Sequence, residues 1–262
     1  MRLGAVLPNE SRRLTGQELE CLEALGDTFG VVRSWDYTPP AAVDQIMDLN
    51  PDVLWVPRSS GNGQIDPIGW AHALQDHVHY LRATGAEIVL GPVNEPNHHF
   101  SPYQGEAGRV EFAMDYRKLL GAIYRRCGRF PKVSPNLAVM QDDEAWTERF
   151  AASIDQHLYQ GVNAYWQGEN HLSPDWGLRL MRFHDRIPSR PMIVLEIGDA
   201  TEDRDPFARV GRISANLMAL KDLGYVEAAC VFILGAKEED DSPWARYLYP
   251  PDAWAIMAAS QR

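Results

Sequence analysis

Two glutamates, Glu95 and Glu196, end apolar runs that carry no other charge: Leu90-Gly-Pro-Val-Asn94-Glu95-Pro96 and Met192-Ile-Val-Leu-Glu196-Ile-Gly198. A carboxylate at the end of a buried segment is costly unless it is paired or put to use. Two carboxyl groups that face each other divide their labour. One stays ionised, and its charge raises the proton affinity of the other, so a nucleophile or base stands beside a proton donor. Pro96 disfavours the α region for the residue before it, which predicts an extended backbone at Glu95. Along the second run, simple alternation puts Val194 and Glu196 on one face and Ile193, Leu195 and Ile197 on the other. If the second set packs against helices, Glu196 points into a site, and Gly198 leaves the chain free to turn just beyond it.

Carboxylates held this way need rigid supports, and the chain supplies a regular set. Apolar runs rich in Val, Ile and Leu occur at about 3–8, 31–36, 53–57, 87–94, 132–139, 157–165, 191–197 and 227–235. Segments of helical periodicity lie between and after them, at about 15–28, 41–49, 68–84, 107–127, 144–154, 175–187, 207–223 and 252–260. Near-continuous apolar strands alternating with helices predict a parallel sheet covered on its faces. Thr15-Gly-Gln-Glu18 reads as a capping box,. Gly26, Gly85 and Gly224 stand where helices should stop, and Pro51 closes the second helix,. After the first run the chain reads Pro8-Asn-Glu-Ser11 rather than a glycine-rich phosphate loop, which disfavours an open doubly wound sheet,. Eight strand–helix units in 262 residues suit closure into one (β/α)8 barrel spanning 1–262, with its site at the C-terminal ends of the strands,.

In that frame Glu95 ends strand four and Glu196 ends strand seven. Asn94-Glu95-Pro96 and Leu195-Glu196-Ile-Gly198 resemble the retaining (β/α)8 glycoside hydrolase clan that includes cellulases, mannanases and β-galactosidases. The resemblance implies an acid/base at Glu95 and a nucleophile at Glu196, with an oligo- or polysaccharide as substrate and no cofactor. Val31-Val-Arg33-Ser-Trp35 matches the clan's arginine near the nucleophile, and Asn163-Ala-Tyr165-Trp166 its tyrosine. Strand eight departs from the pattern: Val231-Phe-Ile-Leu-Gly235 lacks the clan's tryptophan, leaving Phe232 as a substitute only if its phase is right.

The implied chemistry is a double displacement. Glu196 attacks the anomeric carbon while Glu95 gives its proton to the leaving oxygen and then activates water, the two carboxyl groups standing ~5–5.5 Å apart. Arg33 favours the charged form of Glu196, Tyr165 orients it, and Asn94 reaches the sugar 2-hydroxyl. Trp35, Tyr37, Tyr103, Tyr165 and Trp166 supply flat rings near the strand ends, with Trp166 the foremost candidate for stacking on a sugar. The loops Arg58–Ile68 and Phe100–Gly108 are the longest candidates to border a cleft.

Composition narrows the partners. Twenty-five basic against thirty-six acidic residues give a net charge of −11, which repels phosphate backbones and anionic membranes,. Three scattered cysteines, Cys21, Cys127 and Cys230, read as free thiols packed as small hydrophobes,. No run approaches a membrane span, and Met1–Pro8 reads as a first strand rather than a signal segment, which predicts a cytoplasmic protein,. Other classes remain in play. A metal-dependent barrel hydrolase would draw on His98, His99 and His157, although the first strand has no His-x-His pair and His72, His77 and His79 read as a solvated helix surface. An aldolase-type barrel lacks a lysine at an inner strand end: Lys132 begins strand five and Lys237 lies in an acidic loop. A barrel that binds carbohydrate without turning it over is the non-enzymatic alternative.

Overall fold

In the computed structural model, which describes residues 1–61, 63–98, 101–138, 143–151, 156–201, 205–234 and 248–262, seven parallel strands share one sheet. They are β1 (Arg2–Val6), β2 (Phe29–Trp35), β3 (Leu54–Arg58), β4 (Glu87–Ile88), β5 (Gln160–Trp166), β6 (Met192–Asp199) and β7 (Val226–Val231), in the order β4-β3-β2-β1-β7-β6-β5. The segment 132–137 bridges the two outer strands. It pairs in parallel through Leu90 with Lys132 and Asn94 with Asn136 on one side, and through Val133 with Tyr159 and Leu137 with Val162 on the other. The ring therefore closes with eight staves. The expected fifth strand is this stave, held by isolated bridges rather than a continuous ladder, and the end of the run at residue 139 lies outside the described residues. Pro92 and Pro135 have no N–H to give, which is why regular pairing breaks there.

The helices α1 (Gly16–Ala24), α2 (Pro40–Leu49), α3 (Pro67–Ala83), α4 (Gly105–Cys127), α5 (Asp143–Ala151), α6 (Leu180–Arg186), α7 (Pro206–Asp222) and α8 (Pro251–Ala259) alternate with the staves. The Thr15–Glu18 capping box forms as expected. Gly85 and Gly224 take φ of 80° and 73°, a conformation that favours glycine just past a helix end,. The sixth helix is shorter than its periodicity suggests, because Asn216 on α7 donates to the carbonyls of His171 and Gly177 and holds the preceding chain in turns.

Two buried layers result. Leu3, Ala5, Val32, Trp55, Val162, Ala164 and Trp166 pack outward against the helices, while Val6, Val31, Val56, Val89, Val133, Ile193, Leu195 and Cys230 fill the ring. All three cysteines are buried free thiols. His77 is not on a solvated surface: it is buried, its Nε2 lies 2.8 Å from Ser34 Oγ, and burial pushes its pKa down to about 4. His157 is likewise buried, stacked on Tyr116 and hydrogen-bonded to its hydroxyl. Among the described residues no helix is long and apolar enough to cross a membrane.

The phase of β6 differs from simple alternation. Ile193 and Leu195 face the interior of the ring, whereas Val194 and Ile197 face the helices. On that pattern Glu196 would point outward. A β-bulge corrects it: Val162 pairs with Val194 but Asn163 pairs with Glu196, so Leu195 is the extra residue on β6. The neighbouring strand shows the same break between Val194 and Ile197. Bulges of this kind re-aim side chains, and here one carries Glu196 back to the mouth of the ring.

Candidate active site

The floor of the site is a hydrogen-bonded layer contributed by six of the eight staves. Arg33, fully buried at the end of β2, donates from Nη1 to Glu196 Oε1 at 2.5 Å and from Nη2 to Asn94 Oδ1 at 2.8 Å and Asn136 Oδ1 at 3.2 Å. Asn136 donates in turn to Asn94 and, at 2.7 Å, to Asn163 Oδ1. These bonds leave the Asn163 amide nitrogen facing the carboxylates, and it donates to both: to Glu95 Oε1 at 2.8 Å and to Glu196 Oε2 at 3.1 Å. The two acceptor oxygens therefore lie no more than about 6 Å apart, within the range over which paired carboxyl groups cooperate,. Tyr165 donates its hydroxyl to Glu196 Oε2 at 2.8 Å, and Arg58 at the end of β3 reaches Glu196 Oε1 at 3.3 Å.

Glu95 is held in a different backbone state from the extended one its proline neighbour predicts. Its φ is +45°, in the left-handed region that costs a non-glycine residue about 1–3 kcal/mol,. The surroundings enforce it. The Glu95 N–H donates to the Asn136 carbonyl at 2.9 Å, and the Glu95 carbonyl accepts from the His98 N–H at 3.0 Å. Asn97 clamps the turn from below, exchanging hydrogen bonds with the backbone of Ala138 at 2.8 and 3.0 Å.

The surroundings raise the proton affinity of Glu95. Burial, then the charge of Glu196, pushes Glu95 up to about 7, against opposing pulls from the Asn163 hydrogen bond and from Arg58 and Arg33. Glu196 accepts hydrogen bonds from two guanidinium groups, an amide and a phenol.

Above this floor opens a cavity of about 650 Å³ lined by Glu95, Glu196, Asn94, Arg58, Trp35 and Tyr165, with Phe232 and Trp70 among its walls. The expected residues Arg33, Asn94, Glu95, Tyr165 and Glu196 thus converge on one point, and Trp35 stands beside them under the Arg58 guanidinium. Trp166 does not. Side chains alternate along β5, so Asn163 and Tyr165 face the site while Trp166 is fully buried in the outer layer beside His171. Tyr37 stacks on Trp35 outside the cavity lining, and Tyr103 is a buried wall residue whose hydroxyl accepts from the Ile65 N–H. Phe232 has the phase to face the cavity and meets Tyr165 edge-on at 5.9 Å. Both long loops contribute to the rim, through Ser60, Gly61 and Ile65 and through Ser101 and Tyr103. His98 lines the cavity too, while His99, Lys237 and the acidic stretch that follows it lie outside the described residues. Among the described residues no group of three His, Cys, Asp or Glu side chains is arranged to hold a metal ion.

Sequence reasoning missed Arg58, Asn136 and Asn163 as members of the site. A signal exists for each, since all three are polar residues near the C-terminal end of a stave, where barrel sites lie.

The sequence matches no family profile, and no curated protein is similar enough to it to be matched. Solved structures match along nearly the full chain. An exo-β-1,3-glucanase of glycoside hydrolase family GH128, subgroup V, from Cryptococcus neoformans superposes with a TM-score of 0.63 at 16% identity, covering 100% of both chains. The fold is a (β/α)8 barrel. A GH128 subgroup I endo-β-1,3-glucanase from Amycolatopsis mediterranei, with one glutamate replaced by alanine and laminaripentaose bound, matches with a TM-score of 0.61 at 15% identity over 98% of this chain and 99% of the other. An exo-β-1,3-glucanase of GH128 subgroup VI from Aureobasidium namibiae gives 0.58 at 14% identity over 97% and 93%. Likeness at such identities speaks for the barrel, and the chemistry has to be argued from the residues at its mouth.

Trp166 gives a check on the two layers. Trp166→Ala is expected to lower stability by about 3–5 kcal/mol, as for other buried aromatic truncations, with little effect on substrate affinity in the protein that remains folded. Chemical denaturation and KM measured together test this. A large rise in KM with an unchanged unfolding midpoint would return Trp166 to the cavity.

Proposed function

We propose that the barrel is a retaining glycoside hydrolase, with residues 1–262 as one catalytic domain and β-1,3-linked glucan as its substrate. The observation that carries this reading is the single Asn163 amide that bridges Glu95 and Glu196, because it holds the two carboxyl groups close together while the surroundings raise the proton affinity of Glu95. That closeness supports a double displacement, which needs ~5–5.5 Å between the groups, over direct attack by water, which needs ~6.5–9.5 Å. Glu196 attacks the anomeric carbon as the bond to the leaving oxygen breaks, and the Glu95 proton passes to that oxygen. Water then takes the place of Glu196 at the same carbon, losing its proton to Glu95. Asn94 suits the sugar 2-hydroxyl: its oxygen is occupied by Arg33 and Asn136, so its amide nitrogen is the group left to donate. The choice of β-1,3-glucan rests on the family GH128 enzymes that share the barrel.

Hydrolysis of laminari-oligosaccharides followed by proton NMR tests both parts. The first product is expected as the β-anomer. An α-anomer appearing first would overturn retention, and tight binding without any turnover would favour a carbohydrate-binding module instead.

The proton on Glu95 sets the pH dependence. Activity is expected to fall as pH rises through about 7, where Glu95 loses the proton it must donate,. Stability should follow in the same direction. The folded chain holds this proton more tightly than the unfolded chain, whose value is near 4.5, so the contribution is present at low pH and lost between about 4.5 and 7,. Comparing denaturation of the wild type and Glu95→Gln across that window isolates it, and identical slopes would contradict the raised value.

A further inference from the structure

Arg58 stands apart from Arg33 in how it is held. Arg33 is locked beneath the site by three partners, whereas Arg58 makes one longer contact to Glu196, at 3.3 Å, and itself lines the cavity. Its guanidinium carbon lies over the Trp35 ring, 4.0 Å from the centroid, and its Nε donates to the Ser59 carbonyl at 3.4 Å. Stacking of this kind fixes a planar cation without consuming its charge.

We propose that Arg58 is a positioning residue for the proton on Glu95, a cation fixed on Trp35 that is balanced by Glu196 before glycosylation and by Glu95 after it. This rests on the double displacement proposed above. When Glu196 bonds to the anomeric carbon it becomes a neutral ester, the bond to the leaving oxygen breaks, and the Glu95 proton goes to that oxygen. Arg33 and Arg58 then face one remaining carboxylate, Glu95, and their attraction holds it ionised until it takes a proton from the incoming water.

Among the described residues, the charged and titratable groups around the Glu95–Glu196 pair are Arg33 from β2, Arg58 from β3, Tyr165 from β5, Arg179 after β5, Cys230 from β7 and His98 from the loop of Glu95. In the proposed cycle Glu196 loses its charge as Glu95 gains one, so Arg33 and Arg58 exchange one counterion for the other. Burial lowers Arg58 to about 10, which leaves it charged at neutral pH. Its pull on Glu95 opposes the burial and the Glu196 charge that raise that group.

The test is a carboxyl carbon-13 NMR titration of Glu95, its resonance assigned by disappearance in Glu95→Gln. It compares the wild type with Arg58→Gln, Arg58→Met and Arg58→Lys. The Glu95 midpoint is expected to rise by about one pH unit in the two neutral variants and to move back in Arg58→Lys. Arg58→Met lays an apolar chain on Trp35 and removes only the longer of the two guanidinium contacts to Glu196, which keeps Arg33 at 2.5 Å, so the carboxylate is not left without a buried counterion,. An unmoved midpoint in a neutral variant with wild-type circular dichroism would overturn the proposal. The glycosidase reading is judged separately, by wild-type turnover of laminaripentaose, since the titration needs no substrate. In the active protein, Arg58→Gln should also shift the basic limb of the rate profile upward and slow deglycosylation more than tenfold. A merely structural role would move neither.

Discussion

Glu196→Gln is expected to lower the rate of glycoside hydrolysis by about five to six orders of magnitude, the scale seen when a covalent nucleophile is removed. Glutamine keeps the volume and much of the hydrogen bonding but cannot form the glycosyl ester. The choice of substituent matters, because Arg33 is fully buried and pairs with Glu196 at 2.5 Å. Alanine would strand that cation, and breaking a buried pair this way costs about 3–5 kcal/mol. Glu196→Ala should therefore lose both activity and stability, whereas Glu196→Gln should lose activity with a smaller fall in Tm. Turnover of laminaripentaose, read beside thermal denaturation, separates the two. Residual activity within a hundredfold of the wild type in folded Glu196→Gln would rule Glu196 out as the nucleophile.

The second large effect is at Glu95. Glu95→Ala removes the proposed proton donor, so hydrolysis of sugars with poor leaving groups should fall by about 10²–10⁴-fold, while activated aryl glycosides lose less in the first step. Azide, which needs no general base, should enter the vacated space, accelerate breakdown of the glycosyl-enzyme and yield a β-glycosyl azide. The basic limb near pH 7 should also vanish from the rate profile, since burial and the Glu196 charge place it at Glu95. Equal loss on all leaving groups, with no effect of azide, would contradict the assignment. The same substitution does not relieve the left-handed backbone at this position, because alanine keeps the Cβ that this conformation disfavours and the hydrogen bonds to Asn136 and His98 remain,.

The barrel was legible because each stave is an apolar run and each intervening segment has helical period, and both signals are local. The convergence of Glu95 and Glu196 followed from their places at the ends of staves four and seven. What was hidden depends on phase. A period of two reads Ile193 and Leu195 as outward-facing and Glu196 as inward-facing, and the structure shows all three facing the interior because Leu195 is an extra residue in the ladder. One inserted residue flips every side chain beyond it, and nothing in the composition of the run marks where it lies. The same one-residue ambiguity separates Tyr165, at the site, from Trp166, in the outer core.

Other features required the third dimension. Asn136 and Asn163 are ordinary residues in apolar runs until Arg33 orients their amides through shared hydrogen bonds. Arg58 reads as the end of a strand, and its importance appears only when Trp35 and Glu196 are seen on either side of it. The backbone of Glu95 is set by Asn136 on the neighbouring stave, which overrides the local preference imposed by proline,.

The central claim, a covalent double displacement on Glu196, is tested most directly by trapping the intermediate. The protein is incubated with an activated 2-deoxy-2-fluoro β-glucoside or laminaribioside, digested and mapped by mass spectrometry. The account predicts one adduct, carried by the peptide containing Met192–Asp199 and located on Glu196. An adduct on any other residue, or hydrolysis of laminari-oligosaccharides with inversion at the anomeric carbon and no adduct at all, would contradict it.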